Sequence, residues 1–197
     1  MMYPTQISVD NQVFPIDTDY RTALRCFEVL MDESIENEER SFAIIYILLG
    51  DLPDANWDKI IKLLVRYLKC DREQTESNIP DMDMKQDAKY IIASFLSDYQ
   101  IDLSKDTHVH WWHFIDLLDG LSGECILNRI RDIRTCDIND YKGKYRSKMQ
   151  KAKEQVALKQ TISDEDLRAI EEFDALLNGN NELSKDDYIL EEEGDDE

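Results

Sequence analysis

The sequence predicts a mainly α fold: a multi-helix domain with a short N-terminal β-hairpin and an acidic C-terminal tail. Three observations carry this. Glycine and proline number six and four in 197 residues, few turn formers for an all-β chain. Apolar residues recur at helical spacing along most of the length. From residue 160 onward, two basic residues face fifteen acids. A segment that charged buries little and pays poorly for its ordering. The expected organisation is a helical domain over 1–160, with the hairpin at about 6–16. An amphipathic acidic helix over 161–180 and a disordered acidic tail over 181–197 complete it.

In chain order, Ile7, Val9, Val13 and Phe14 are β-formers around Asp10-Asn11, a pair suited to a tight turn. Pro15 has to lie at a sheet edge or strand end. Thr18 or Asp19 caps a helix over about Tyr20 to Asp32. Asn37 opens a second helix, stopped at Gly50. Its last turns are nearly apolar all round, which predicts a central position. Asp54 caps a third helix to about Leu68, with Trp57, Ile60, Ile61, Leu64, Val65 and Leu68 on one broad face. The polar stretch Cys70 to Asp83 reads as a loop. Further helices are expected from about Met84 to Tyr99, from a Thr107 cap to Gly120, and from Gly123 to about Arg134. A long basic helix is expected from Asp137 to about Gln160. Ser163-Asp-Glu-Asp166 resembles a capping box ahead of Leu167, Ile170, Phe173, Leu176 and Leu177.

Composition narrows function. The formal net charge is −20, which opposes nucleic acid and anionic membrane surfaces as partners. The most apolar run, Phe42 to Leu49, is far shorter than the roughly 20 residues of a membrane span, and no signal peptide is visible. Cys26, Cys70, Cys125 and Cys136 lie far apart, as free and largely buried thiols of a reducing compartment would. Charge is also uneven. Residues 129–159 carry ten lysines and arginines against four acids. That segment interleaves tyrosine with cations, which could suit single-stranded nucleic acid, but a solvated helix face is favoured by the global charge.

All three histidines fall in Asp106-Thr-His-Val-His-Trp-Trp-His-Phe-Ile-Asp116. On one helix His110, His113 and Asp116 would share a side. A metal-dependent enzyme is therefore one reading. It lacks the glutamate and ligand spacing of zinc motifs. The competing reading is a packed helix, with Trp112, Ile115 and Leu118 on one stripe and Trp111, Phe114, Leu117 and Leu121 on its neighbour. Two adjacent tryptophans cover a wide arc, so one could pack in the core and the other reach an edge or interface. No G-x-S-x-G, P-loop or G-x-G-x-x-G is present.

The order of features then resembles a known family. The hairpin is followed by FPIDTDYRTAL, IYILLGDLP, FLSDYQIDL, HVHWWHFIDLLDGL and RIRDIRTCDI. This is similar to the bacteriophage gene-product-fifteen family of siphophages and prophages of Gram-positive bacteria. The most specific match is Ile101-Asp-Leu followed by His110, Trp111, Trp112 and Phe114. His108 and His113 lie outside the shared pattern. The resemblance spans about residues 3–155 and leaves out the acidic extension. It implies a protein of the tail gene cluster, encoded near the tape-measure protein. That in turn implies a non-virion tail assembly chaperone in the cytoplasm of the bacterial host. Its partners would be the tape-measure protein and other tail assembly proteins such as tube subunits, with no enzymatic activity, cofactor, nucleic acid or membrane, and with oligomerisation open. His110, Trp111, Trp112 and Phe114 are the candidate partner-binding or packing residues. A minor structural tail component is the alternative.

Overall fold

The computed structural model describes residues 2–72, 81–105, 107–159 and 188–190. It is mainly helical. The elements are β1 (Pro4–Val9), β2 (Gln12–Pro15), α1 (Tyr20–Leu30), α2 (Asn37–Leu49), α3 (Trp57–Leu68), α4 (Ala88–Tyr99), α5 (Trp111–Asp119), α6 (Ile126–Thr135), a 3-10 turn (Ile138–Asp140), α7 (Gly143–Val156) and β3 (Tyr188–Leu190). The chain divides into two compact units. One comprises residues 1–73, 108–115 and 162–197, the other 74–107 and 116–161.

In the first unit the hairpin forms as the sequence predicts. Val9 pairs with Gln12, leaving Asp10-Asn11 as a two-residue loop. Both have positive φ, 50° and 64°, the type I′ geometry that matches strand twist and suits Asn and Asp. Pro15 ends the edge strand β2, where its missing N–H breaks no ladder. On its other side β1 pairs antiparallel with Tyr188–Leu190. Those three residues fall in the expected disordered tail, and there they form a strand. Tyr-Ile-Leu is the one apolar β-forming run of that tail. The expected helix over 161–180 lies outside the described residues.

Asp19 caps α1, its carboxylate accepting from the Arg21 amide. Gly50 ends α2 in the left-handed region at φ 73°. α3 begins later than its expected Asp54 cap: Asn56 accepts from the Lys59 amide and takes that role. α2 is not central all round. Ile44, Ile45 and Leu48 are fully buried, whereas Phe42 and Tyr46 face outward.

In the second unit Ile91, Phe95, Leu118, Leu121, Leu127 and Ile130 form the core. α4 starts at Ala88 rather than Met84, because residues 84–87 form turns held by Asp83, whose side chain accepts from the Lys85 and Gln86 amides. α6 starts at Ile126, where the Cys125 thiol accepts from the Asn128 amide. The long helix expected from Asp137 is split. Asp137 caps only the 3-10 turn, and α7 begins at Gly143, at φ 56°. The four cysteines are free thiols, three buried and Cys136 half-buried. Burial, with a smaller push from Asp17 and a small opposing pull from Arg25, raises the Cys26 pKa to about 12, so that thiol stays protonated and inert.

Candidate functional site

The signature His110-Trp111-Trp112-x-Phe114 is built on the first unit. Residues 107–109 are not helical, so Thr107 does not cap α5. From His108 the chain runs along the entry to α1. The Tyr20 amide donates to the Val109 carbonyl at 2.9 Å, and the Trp111 amide to the Thr18 carbonyl at 2.7 Å. α5 then starts at Trp111, with the His110 ring as its cap: Nδ1 accepts from the Trp112 amide at 3.1 Å. On its far side, Nε2 lies 3.0 Å from the Pro4 carbonyl, to which it donates. Those two partners assign the neutral Nε2–H tautomer.

The two tryptophans share one task. Trp111 Nε1 donates to the Leu68 carbonyl at 2.9 Å and Trp112 Nε1 to the Tyr67 carbonyl at 2.8 Å. These are the last two residues of α3, whose terminal carbonyls have no partner within the helix. A pair of indole N–H groups at the negative end of the helix dipole satisfies both. Trp111 is 3% exposed and Phe114 1%. Their rings stack at 5.8 Å, with Tyr20 stacked on Phe114 at 4.7 Å and Phe27 tilted on Trp111 at 5.7 Å. Trp112 is half-buried and stacks on Tyr67 at 6.1 Å. Each such ring buries on the order of 150–250 Å². The signature therefore ties α1, α3, β1 and α5 together around one aromatic core.

The three histidines lie near one another, but each is hydrogen-bonded to a different partner. His108 Nε2 meets the Thr18 hydroxyl at 3.0 Å, His113 Nδ1 the Tyr3 hydroxyl at 3.2 Å, and His110 uses both ring nitrogens as above. Tyr3 also stacks on His110 at 5.0 Å. His110 precedes the helix and spends both ring nitrogens on backbone partners, the Pro4 carbonyl and the Trp112 amide, which leaves neither for a metal ion. Among the described residues no group of three His, Cys, Asp or Glu side chains could hold a metal ion.

Burial lowers the His110 pKa below its ordinary 6.5; the nearby His108 and His113 push the same way, while the Pro4 hydrogen bond opposes. The unfolded chain then binds more protons below that value than the folded one, so stability falls as pH drops through 6.5 toward the lowered folded pKa. Protonation would set an Nδ1–H against the Trp112 amide, donor against donor. Urea midpoints of the wild type and His110→Asn test this. The wild-type advantage should be greatest near pH 7.5 and shrink by about pH 5. An advantage independent of pH would contradict the neutral-tautomer cap.

The sequence did not reveal the exposed apolar side chains. In the first unit Phe42, Tyr46 and Trp57 are 44%, 56% and 40% exposed. Phe42 and Trp57 meet edge-on with ring centroids 5.7 Å apart. The Trp57 indole is fixed by a 2.8 Å bond to the Pro53 carbonyl. Their hydrophobicity was plain, but nothing in the residue order separates an outward aromatic on α2 from an inward one.

Searches of curated proteins and of solved structures return no match. A family model described as bacteriophage Gp15 protein matches residues 3–158. The match takes in the hairpin, the aromatic signature and the helices through α7, and the chain belongs to the bacteriophage Gp15 protein family.

Proposed function

We propose that this chain is a tail morphogenesis factor of a phage or prophage: a non-virion assembly chaperone that binds the tape-measure protein, tail-tube subunits, or both. It acts by binding and not by catalysis, in the cytoplasm of the bacterial host, without nucleic acid, membrane or cofactor. Membership of the phage family over residues 3–158 carries the reading. Two features support it. The chain displays an outward aromatic group, Phe42, Tyr46 and Trp57, of the kind that grips an apolar helix. Its formal charge of −20 would keep a complex with an apolar client in solution by repulsion between complexes. Among the described residues no helix is long and apolar enough to cross a membrane.

Co-expression with the tape-measure protein from the same tail gene cluster tests the proposal. The expected result is a soluble client that co-elutes with this chain on a sizing column. A client that stays insoluble while this chain elutes alone would overturn it.

A further inference from the structure

Resting on the binding reading above, the geometry points to the outer face of α2 and the start of α3 as the docking surface, and to its occupant as an amphipathic helix whose apolar stripe is flanked by lysine and arginine. Phe42 and Tyr46 stand one helical turn apart on α2. Trp57 adjoins Phe42, its ring held by Pro53, so the aromatic ridge is set before a partner arrives. Behind it Ile44, Ile45 and Leu48 are fully buried, which seats α2 firmly. A ridge of rigid aromatics spaced by one turn fits the groove of an incoming helix. The other exposed apolar side chains, such as Leu96, Ile126 and Tyr145, stand singly on separate elements, and isolated ones need no explanation.

The charge around the ridge selects the occupant. Glu38 and Glu39 lie one turn before Phe42, and Asp54 and Asp58 bracket Trp57; all four are exposed. None of them takes part in an ion pair among the described residues. The neighbouring cations are committed elsewhere. Arg40 is buried and donates to the Asp32 carbonyl and the Asn37 side chain. Lys59 pairs with Asp10, and Arg66 with Asp71. Lys62 turns away from Trp57 at about 100° per residue; it stands one turn after Asp58 but forms no ion pair with it among the described residues. An acidic rim around an aromatic ridge complements a helix with basic flanks. It repels an acidic one, including this chain's own residues 160–197 with fifteen acids against two basic residues.

The test uses the full chain and two synthetic helical peptides with the same leucine stripe, one flanked by lysine and one by glutamate. Binding is followed by calorimetry at low and high salt. The lysine-flanked peptide should bind at least tenfold more tightly, with the difference shrinking in high salt. Phe42→Ser with Tyr46→Ser and Trp57→Ser should weaken it at least tenfold while the circular dichroism stays unchanged. A second variant, Glu38→Lys with Glu39→Lys and Asp58→Lys, keeps every aromatic and should reverse the peptide preference. Equal binding of the two peptides, binding retained by both variants, or self-association through this face would each overturn the assignment. The tape-measure co-expression separates this from the broader reading. Co-elution that survives both variants removes the surface and leaves the chaperone role. Peptide binding that the serine variant weakens and the charge variant reverses, with no tape-measure co-elution, leaves the surface and removes the role.

Discussion

Trp111→Ala should cost the first unit about 4 kcal/mol or more, enough to unfold a domain of ordinary stability. The indole is buried against Phe114 and Phe27, and its removal leaves a cavity where close packing tolerates none. It also strands the Leu68 carbonyl, whose unpaired burial adds about 1–3 kcal/mol. Trp111→Phe separates the two effects, since it keeps most of the ring and loses the N–H donor. Trp112→Phe should cost less, about 1 kcal/mol, because that site is half-buried and the Tyr67 carbonyl still accepts from the Cys70 amide at 3.0 Å. Urea unfolding followed by circular dichroism orders the three variants. Equal, small losses for all three would mean that the signature does not hold the fold.

The second large effect lies in the other unit. Asp87 is 1% exposed and forms a bidentate pair with Arg134, at 2.6 and 2.7 Å. The Asp83 amide also donates to it at 3.0 Å, and Arg134 reaches the carbonyls of Asp81 and Val156. The pair thus joins the turn before α4, α6 and the end of α7. Arg134→Met should cost about 3–5 kcal/mol, because it leaves a buried carboxylate unpaired. Adding Asp87→Leu should recover much of that loss, since removing both charges removes the uncompensated one. Burial pushes the Asp87 pKa up, but the hydrogen bonds from Arg134 and the Asp83 amide, with the charges of Arg134 and Lys89, outweigh it. The folded value lies below the ordinary 3.8. The contribution is therefore fully present above that value and lost as pH falls below it, through the folded pKa. An acid titration of the wild type against the double variant should show this loss only in the wild type. Identical acid profiles would contradict it.

What the sequence could and could not reveal follows from where each interaction lies along the chain. The hairpin was legible because the two-residue Asp10-Asn11 turn is local, and so were the Asp19 cap and the Gly50 stop. The boundaries that shifted did so for contacts made elsewhere. α5 starts late because His108, Val109 and Trp111 bond to Thr18 and Tyr20 at the entry to α1, about 90 residues away. The His110 ring is then taken up by the Pro4 carbonyl and the Trp112 amide, which helical spacing does not announce. The family signature drew attention to both tryptophans as candidates for binding or packing. Their actual partners are the carbonyls of Tyr67 and Leu68, more than 40 residues earlier, which no pattern of apolar spacing announces. The same spacing made α2 look central, since periodicity reports hydrophobicity and not whether a neighbour is there to cover it.

Two sets of aromatics have separate jobs: His110, Trp111, Trp112 and Phe114 hold the first unit, and Phe42, Tyr46 and Trp57 are proposed to meet the client. Hydrogen exchange of the full chain, alone and with the co-expressed tape-measure protein, tests this division directly. In the free chain the amides of Trp112 and Phe114 should already exchange slowly, and client binding should slow exchange in α2 and at the start of α3. Fast exchange at the signature in the free chain, with protection there only when the client binds, would contradict the account.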